Sequence, residues 1–159
     1  MSESAAFLAP QPARPAVAPL IARLVEQFGA AWLDTDNLDA WLAAGGDCLL
    51  LLAGDPVRYP EALDVAVVLP ELQSAVAARH GRALRLGVAR GEAEEALAAR
   101  FALRRWPTLV WLRDGGFVTA IDGMHDWDDY LRMAERALSM DNTLIPLASA
   151  AEPRSGGCH

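Results

Sequence analysis

Six apolar residues in unbroken succession, Cys48-Leu49-Leu50-Leu51-Leu52-Ala53, leave this chain few options. The run has strand length and no polar alternate face, so it predicts a strand covered on both sides. Gly54-Asp55-Pro56 breaks it, and Ala83–Ala89 supplies a second strand of the same kind. Helical patterns lie between and around the two. Leu20, Ile21, Leu24 and Phe28 share one helical face that Gly29 ends. A short extended piece follows at Ala31–Leu33. Asp36 is placed to cap a helix carrying Leu38, Trp41 and Leu42, which Gly45-Gly46 closes. Pro60 to His80 reads as a helix that Pro70 should kink, since proline lacks the N–H of the backbone bond.

The second half changes rhythm. Glu92–Arg100 is a short helix, and Leu109–Leu112 and Phe117–Ile121 flank Asp114-Gly115-Gly116 as a hairpin. His125 or Asp126 starts a last helix with Trp127, Tyr130, Leu131, Ala134 and Leu138 inward. Strands joined first through helices and then by a hairpin predict an α/β fold with a mixed sheet and helices on both faces. The 159 residues suit one domain. Prolines 10, 12, 15 and 19 predict an extended Pro/Ala-rich arm over 1–18, a domain over 19–144, and a small, polar tail over 145–159.

Composition limits the chemistry. All 14 basic residues are Arg, so neither a lysine Schiff base nor a phosphate-loop lysine is available. A net charge of −7 argues against a nucleic-acid binder. No apolar run reaches the roughly 18–20 residues of a membrane span, and the N-terminal residues lack the pattern of a secretory signal. Cys48 and Cys158 are far apart, which disfavours a disulfide framework, a zinc ribbon and a dithiol centre. No Ser or Cys has a credible His and acid partner for hydrolysis.

Residues 100–112, Arg-Phe-Ala-Leu-Arg-Arg-Trp-Pro-Thr-Leu-Val-Trp-Leu, then Asp114-Gly115-Gly116 and Gly123, resemble thioredoxins. There an aromatic and an aliphatic residue precede a cis-proline, a Thr, an apolar strand and a turn. The resemblance implies a thioredoxin-like sheet flanked by helices on both faces, with Pro107 as the cis-proline. It also puts Ala62-Leu63-Asp64-Val65 where the Cys-x-x-Cys motif would stand. With no thiol there, disulfide exchange has no reagent.

A narrower resemblance rests on four stretches. They are Asp-x-Asp-Asn-Leu-Asp-x-Trp from Asp34 to Trp41, Ala-Gly-Asp-Pro-x-Arg-Tyr-Pro-Glu from Ala53 to Glu61, residues 64–72, and Arg-Trp-Pro-Thr-Leu-Val from Arg105 to Val110. Together they are similar to the HyaE/HupG/HoxO family of accessory proteins of nickel–iron uptake hydrogenases. That resemblance implies a cytoplasmic, non-enzymatic chaperone with no cofactor. Its implied partner is the hydrogenase small-subunit precursor, which bears a twin-arginine export signal.

The thioredoxin pattern sets the loop before the long helix beside the cis-proline. Asp55, Glu61 and Asp64 would then lie near Trp106-Pro107, as a receiver for paired Arg side chains. Tyr59, Leu63 and Trp106 would take apolar residues of the same peptide. In thioredoxins the backbone before the cis-proline also pairs with an extended substrate chain, a mode that needs no cysteine. Each acid has a plainer alternative as a solvated surface carboxylate, and Trp106 as a packing residue. Asp122, Asp126, Asp128 and Asp129 form a denser group, read either as acids favoured at a helix start or as a metal cage. Cys48 reads as a small buried hydrophobe. Cys158-His159 offers a thiol and an imidazole, but a tail has no surrounding shell to orient metal ligands. Three rival functions stay open. One is a scaffold docking another hydrogenase accessory protein, one a monothiol redox protein using Cys48 or Cys158, and one metal delivery through the tail.

Overall fold

The computed structural model describes residues 17–144. Its elements run α1 (Pro19–Phe28), β1 (Ala31–Leu33), α2 (Leu38–Ala43), β2 (Asp47–Leu52), α3 (Glu61–His80) and β3 (Leu84–Ala89). A 3-10 turn at Gly91–Ala93 leads into α4 (Glu94–Arg100), β4 (Thr108–Arg113), β5 (Gly116–Asp122), α5 (Trp127–Ser139) and β6 (Thr143–Leu144). The expected arm and tail lie outside the described residues, apart from positions 17 and 18.

The six strands form one sheet in the order β1-β3-β2-β4-β5-β6. β1, β3 and β2 are parallel, and β4, β5 and β6 add antiparallel. β2 lies between β3 and β4 and all six of its residues are buried, as its unbroken apolar run requires. Alternation then sorts its side chains. Leu49 and Leu51 join Leu109 and Trp111 against α1, α3 and α5, whereas Cys48, Leu50 and Leu52 join Val110 and Leu112 against α2 and α4. Fully burying one such Leu contributes about 2 kcal/mol. The β4–β5 turn places Asp114 at φ 50° and Gly115 at φ 82°, the two positive values a tight two-residue hairpin turn demands.

Three local expectations need correction. Asp36 does not cap α2. Asn37 takes the N-cap position, and the Asp34 carboxylate accepts from the N–H groups of Asp36 and Asn37 at 2.9 and 3.0 Å. An Asx turn one step earlier thus does the work assigned to a cap. Trp127 is not inward. It opens α5 at 39% exposure, and Ala137 takes the buried place alongside Tyr130 and Ala134. The helical spacing held from Tyr130 onward, but the first turn of the helix stays exposed. Finally, β6 pairs with β5 beyond the last expected element.

Candidate functional site

The end of β2 that leads into α3 carries the site. Gly54 stands there at φ 73°, and a Cβ on it would lie 2.9 Å from both Trp106 Cβ and Tyr59 Cδ2. No side chain fits, so glycine is required both by conformation and by space. The contact proves that the loop before α3 lies against the loop before β4. The rings of Tyr59 and Trp106 are 6.3 Å apart with their planes 30° apart, and the Arg58 guanidinium sits 5.4 Å over Tyr59. The Trp106–Pro107 bond is cis, as the thioredoxin pattern implies.

A third loop closes the site. Gly123 N–H donates to the Pro107 carbonyl at 2.8 Å, which ties the exit of β5 to the buried proline. Tyr130 is wholly buried below, and its hydroxyl accepts from His125 N–H at 3.3 Å. Burial pushes the Tyr130 hydroxyl pKa up, the His125 N–H bond opposes this, and the nearby charge of Asp64 adds to it. Thr108 donates its hydroxyl to the Arg105 carbonyl at 2.5 Å. Among the described residues, neither the N–H nor the carbonyl of Trp106 has a hydrogen-bond partner. That leaves a short stretch of backbone able to pair with an added strand.

The seven expected site residues are thus placed as follows. Tyr59 and Trp106 are together and half-buried, with Pro107 buried behind them. Asp55 is exposed, and its carboxylate accepts from Val57 N–H at 3.0 Å, shaping the turn that lifts Tyr59. Glu61 and Asp64 are exposed in the first turn of α3, where acids suit the helix dipole, and Leu63 is half-buried between them.

Several features went unseen in the sequence. Val57, in the loop before α3, is 90% exposed, and Met124 and Trp127, between β5 and the start of α5, are about two-fifths exposed. Arg104 and Arg105 are also exposed on the approach to Trp106, so the rim carries both signs of charge. Glu94, at the start of α4, accepts from Gly54 N–H at 2.8 Å. Burial pushes its carboxyl pKa up, and the backbone N–H groups there pull partly against that.

Other candidates fall away from the site. Cys48 is buried, and burial pushes its thiol up to about 11, which starves it of thiolate. Asp122 pairs loosely with Arg105 at 3.6 Å, and Asp129 pairs with Arg132. No group of three potential metal ligands converges among the described residues. His80 is exposed in the last turn of α3, and the His125 ring stands edge-on to Tyr130 at 5.6 Å. Cys158 and His159 lie outside the described residues. No helix among the described residues is long and apolar enough to cross a membrane.

Strand order, cis-proline and the loop facing it define a thioredoxin-fold domain whose helix α3 begins without a thiol. The reduced desulfothioredoxin of Desulfovibrio vulgaris Hildenborough has the same fold, with TM-score 0.53 at 18% identity over 68% of this chain and 97% of that one. Residues 20–130 match the family described as "Hydrogenase-1 expression protein HyaE", and the chain belongs to that family. It is 53% identical to the hydrogenase expression/formation protein HoxO of Cupriavidus necator over 99% of both chains. It is 44% identical to HupG of Bradyrhizobium diazoefficiens over 66% of this chain and 71% of that protein.

Proposed function

We propose that this hydrogenase accessory protein is a cytoplasmic chaperone that acts by binding alone. Its client is the hydrogenase small-subunit precursor, held by its twin-arginine signal until export. The observation that carries this reading is the unpaired backbone of Trp106 beside the Tyr59 ring. An extended peptide adds there by strand pairing, and its apolar side chains pack on Tyr59, Trp106, Val57 and Met124. Asp55, Glu61 and Asp64 then meet the paired Arg of the signal. Arg104 and Arg105 repel a basic segment, so the twin Arg must lie toward the start of α3 and away from β4. Cys48 takes no part, since its thiol is buried and held protonated.

Calorimetry of the full chain with the precursor tests this. Controls are a precursor without its signal and one with the twin Arg changed to Gln. Binding should require the signal and weaken by about tenfold or more with Gln, the size expected for losing charge-assisted pairs. Binding indifferent to both changes moves the contact to the mature small subunit. No binding at all favours a scaffold that docks another hydrogenase accessory protein.

A further inference from the structure

The site described above has a support on the far side of the sheet. Glu94 opens α4, the helix that packs with Leu52 and Leu97 on the face opposite α3. Its carboxylate nevertheless reaches the backbone where β2 ends, accepting from Gly54 N–H at 2.8 Å. β2 pairs with β4 only as far as Leu52 opposite Thr108. Past that point the ladder offers Gly54 no partner, and a buried N–H without a partner is costly. One side chain forty positions along the chain supplies it.

That amide belongs to the residue that fixes the site. Gly54 is the floor on which Trp106 and Tyr59 meet, with no room for so much as a methyl group. A shift of Gly54 by a few tenths of an ångström must therefore move one ring or the other. Glu94 itself is half-buried and touches neither ring in any hydrogen bond or ion pair among the described residues.

We propose that Glu94 is the positioning residue of the Trp106 site. Its carboxylate clamps the Gly54 backbone against Trp106 and Tyr59 and so sets the geometry of the strand-pairing edge without touching the bound peptide. The effect on affinity rests on the chaperone reading above, whereas the effect on ring geometry does not.

Two variants separate a clamp from a packing role. E94M keeps the bulk and removes the acceptor, and E94Q keeps one acceptor oxygen. In full-length protein, amide exchange is followed at Gly54, and ring-to-ring nuclear Overhauser contacts are followed between Tyr59 and Trp106. Affinity for the small-subunit precursor is measured in parallel. E94M should speed exchange at the Gly54 amide by about tenfold or more, the equivalent of one lost hydrogen bond. It should also weaken the ring contacts and lower affinity, and E94Q should restore most of each readout. Where E94M does not fold, E94D withdraws the acceptor by one methylene and should speed the same Gly54 amide. An unchanged amide and unchanged rings in the folded acceptor-deficient variant overturn the proposal, as does a loss that Gln fails to rescue. If wild-type protein does not bind the precursor, the chaperone reading fails alone, and the amide and ring data still decide the clamp.

Discussion

The two ends of strand β2 treat their polar groups in opposite ways. At its start, Asp47 is 4% exposed and fully engaged. Its carboxylate accepts from Trp111 Nε1 at 3.0 Å, Arg113 Nε at 2.8 Å and Arg82 at 2.6 Å. Arg113 passes the connection on, donating to the Ala137 and Met140 carbonyls at 2.7 and 2.6 Å and so closing the C-terminal end of α5. At the other end, Glu94 satisfies Gly54 N–H, but the Trp106 backbone in the facing loop has no partner among the described residues. Exposed apolar side chains stand in or beside the loops at that end, Val57, Met124 and Trp127, against Met140 at the closed end. A sheet end that saturates its own donors and acceptors holds the fold together. One that leaves them open beside apolar surface is the end at which the proposed function places the client.

The largest effect expected from this contrast is at the closed end. Burial alone pushes the Asp47 carboxyl up, but hydrogen bonds from Trp111, Arg82 and Arg113 outweigh it and hold the group below its ordinary value. A carboxylate whose pKa is lower folded than unfolded stabilises above its unfolded pKa. That stability is lost as pH falls through the folded value, so the loss belongs below about pH 4. D47N should cost about 3–5 kcal/mol near pH 7, since it leaves the buried Arg113 without its counter-charge. It should also flatten the acid limb of the stability profile. Urea unfolding across pH 3–7 reads both, and a wild-type acid limb retained in D47N would remove Asp47 from the account. Precursor affinity of the folded D47N protein should stay as in wild type.

Next in size is W106A at the open end. An aromatic anchor at the centre of an interface carries about 2 kcal/mol or more of binding, so precursor affinity should fall by about thirtyfold. Some stability goes as well, because the indole also packs against the second core with Leu103 and Phe117. The ratio is the informative quantity. D47N should move stability and spare affinity, and W106A should move affinity more than stability. Equal behaviour of the two variants in calorimetry and urea unfolding would mean that both ends are structural and the contrast is false.

Much of this was legible in the amino-acid order, for reasons that differ by element. β2, β3 and the hairpin were readable because burial on both faces and a tight turn each demand particular residues, an apolar run in one case and Asp114-Gly115 in the other. Tyr59 and Trp106 were readable as neighbours only through the thioredoxin resemblance, since no local pattern brings positions 59 and 106 together. Trp127 is exposed although it shares the inward spacing, because helical spacing names a face and says nothing of how far along the helix that face is covered. Asp47 directly abuts a wholly apolar strand, which is a usable sign of a buried ion pair, although nothing in the order of residues names Arg113 as its partner. Glu94 left no such sign. It is one of three Glu on a short helix, and only the chain's return past Gly54 distinguishes it.

The smallest expected effect sharpens the contrast most cheaply, because it compares ion pairs of the same chemistry at the two ends. Arg105 and Asp122 approach to 3.6 Å with side chains 80% and 50% exposed, against 15% and 4% for Arg113 and Asp47 at 2.8 Å. Water screens the open pair, so R105Q should change stability by no more than about 0.5 kcal/mol. Its effect should appear in recognition instead. Arg105 adjoins the strand-pairing residue, and on the chaperone reading it disfavours a basic segment on the β4 side. R105Q should therefore bind the precursor at least as tightly as wild type, and affinity should fall faster with added salt, since removing a repelling charge leaves the acids Asp55, Glu61 and Asp64 to dominate the attraction. Titrations at two salt concentrations measure this. Weaker binding by R105Q with unchanged salt dependence would show instead that Arg105 itself contacts the client, and would turn the basic side of the rim from a barrier into part of the receiver.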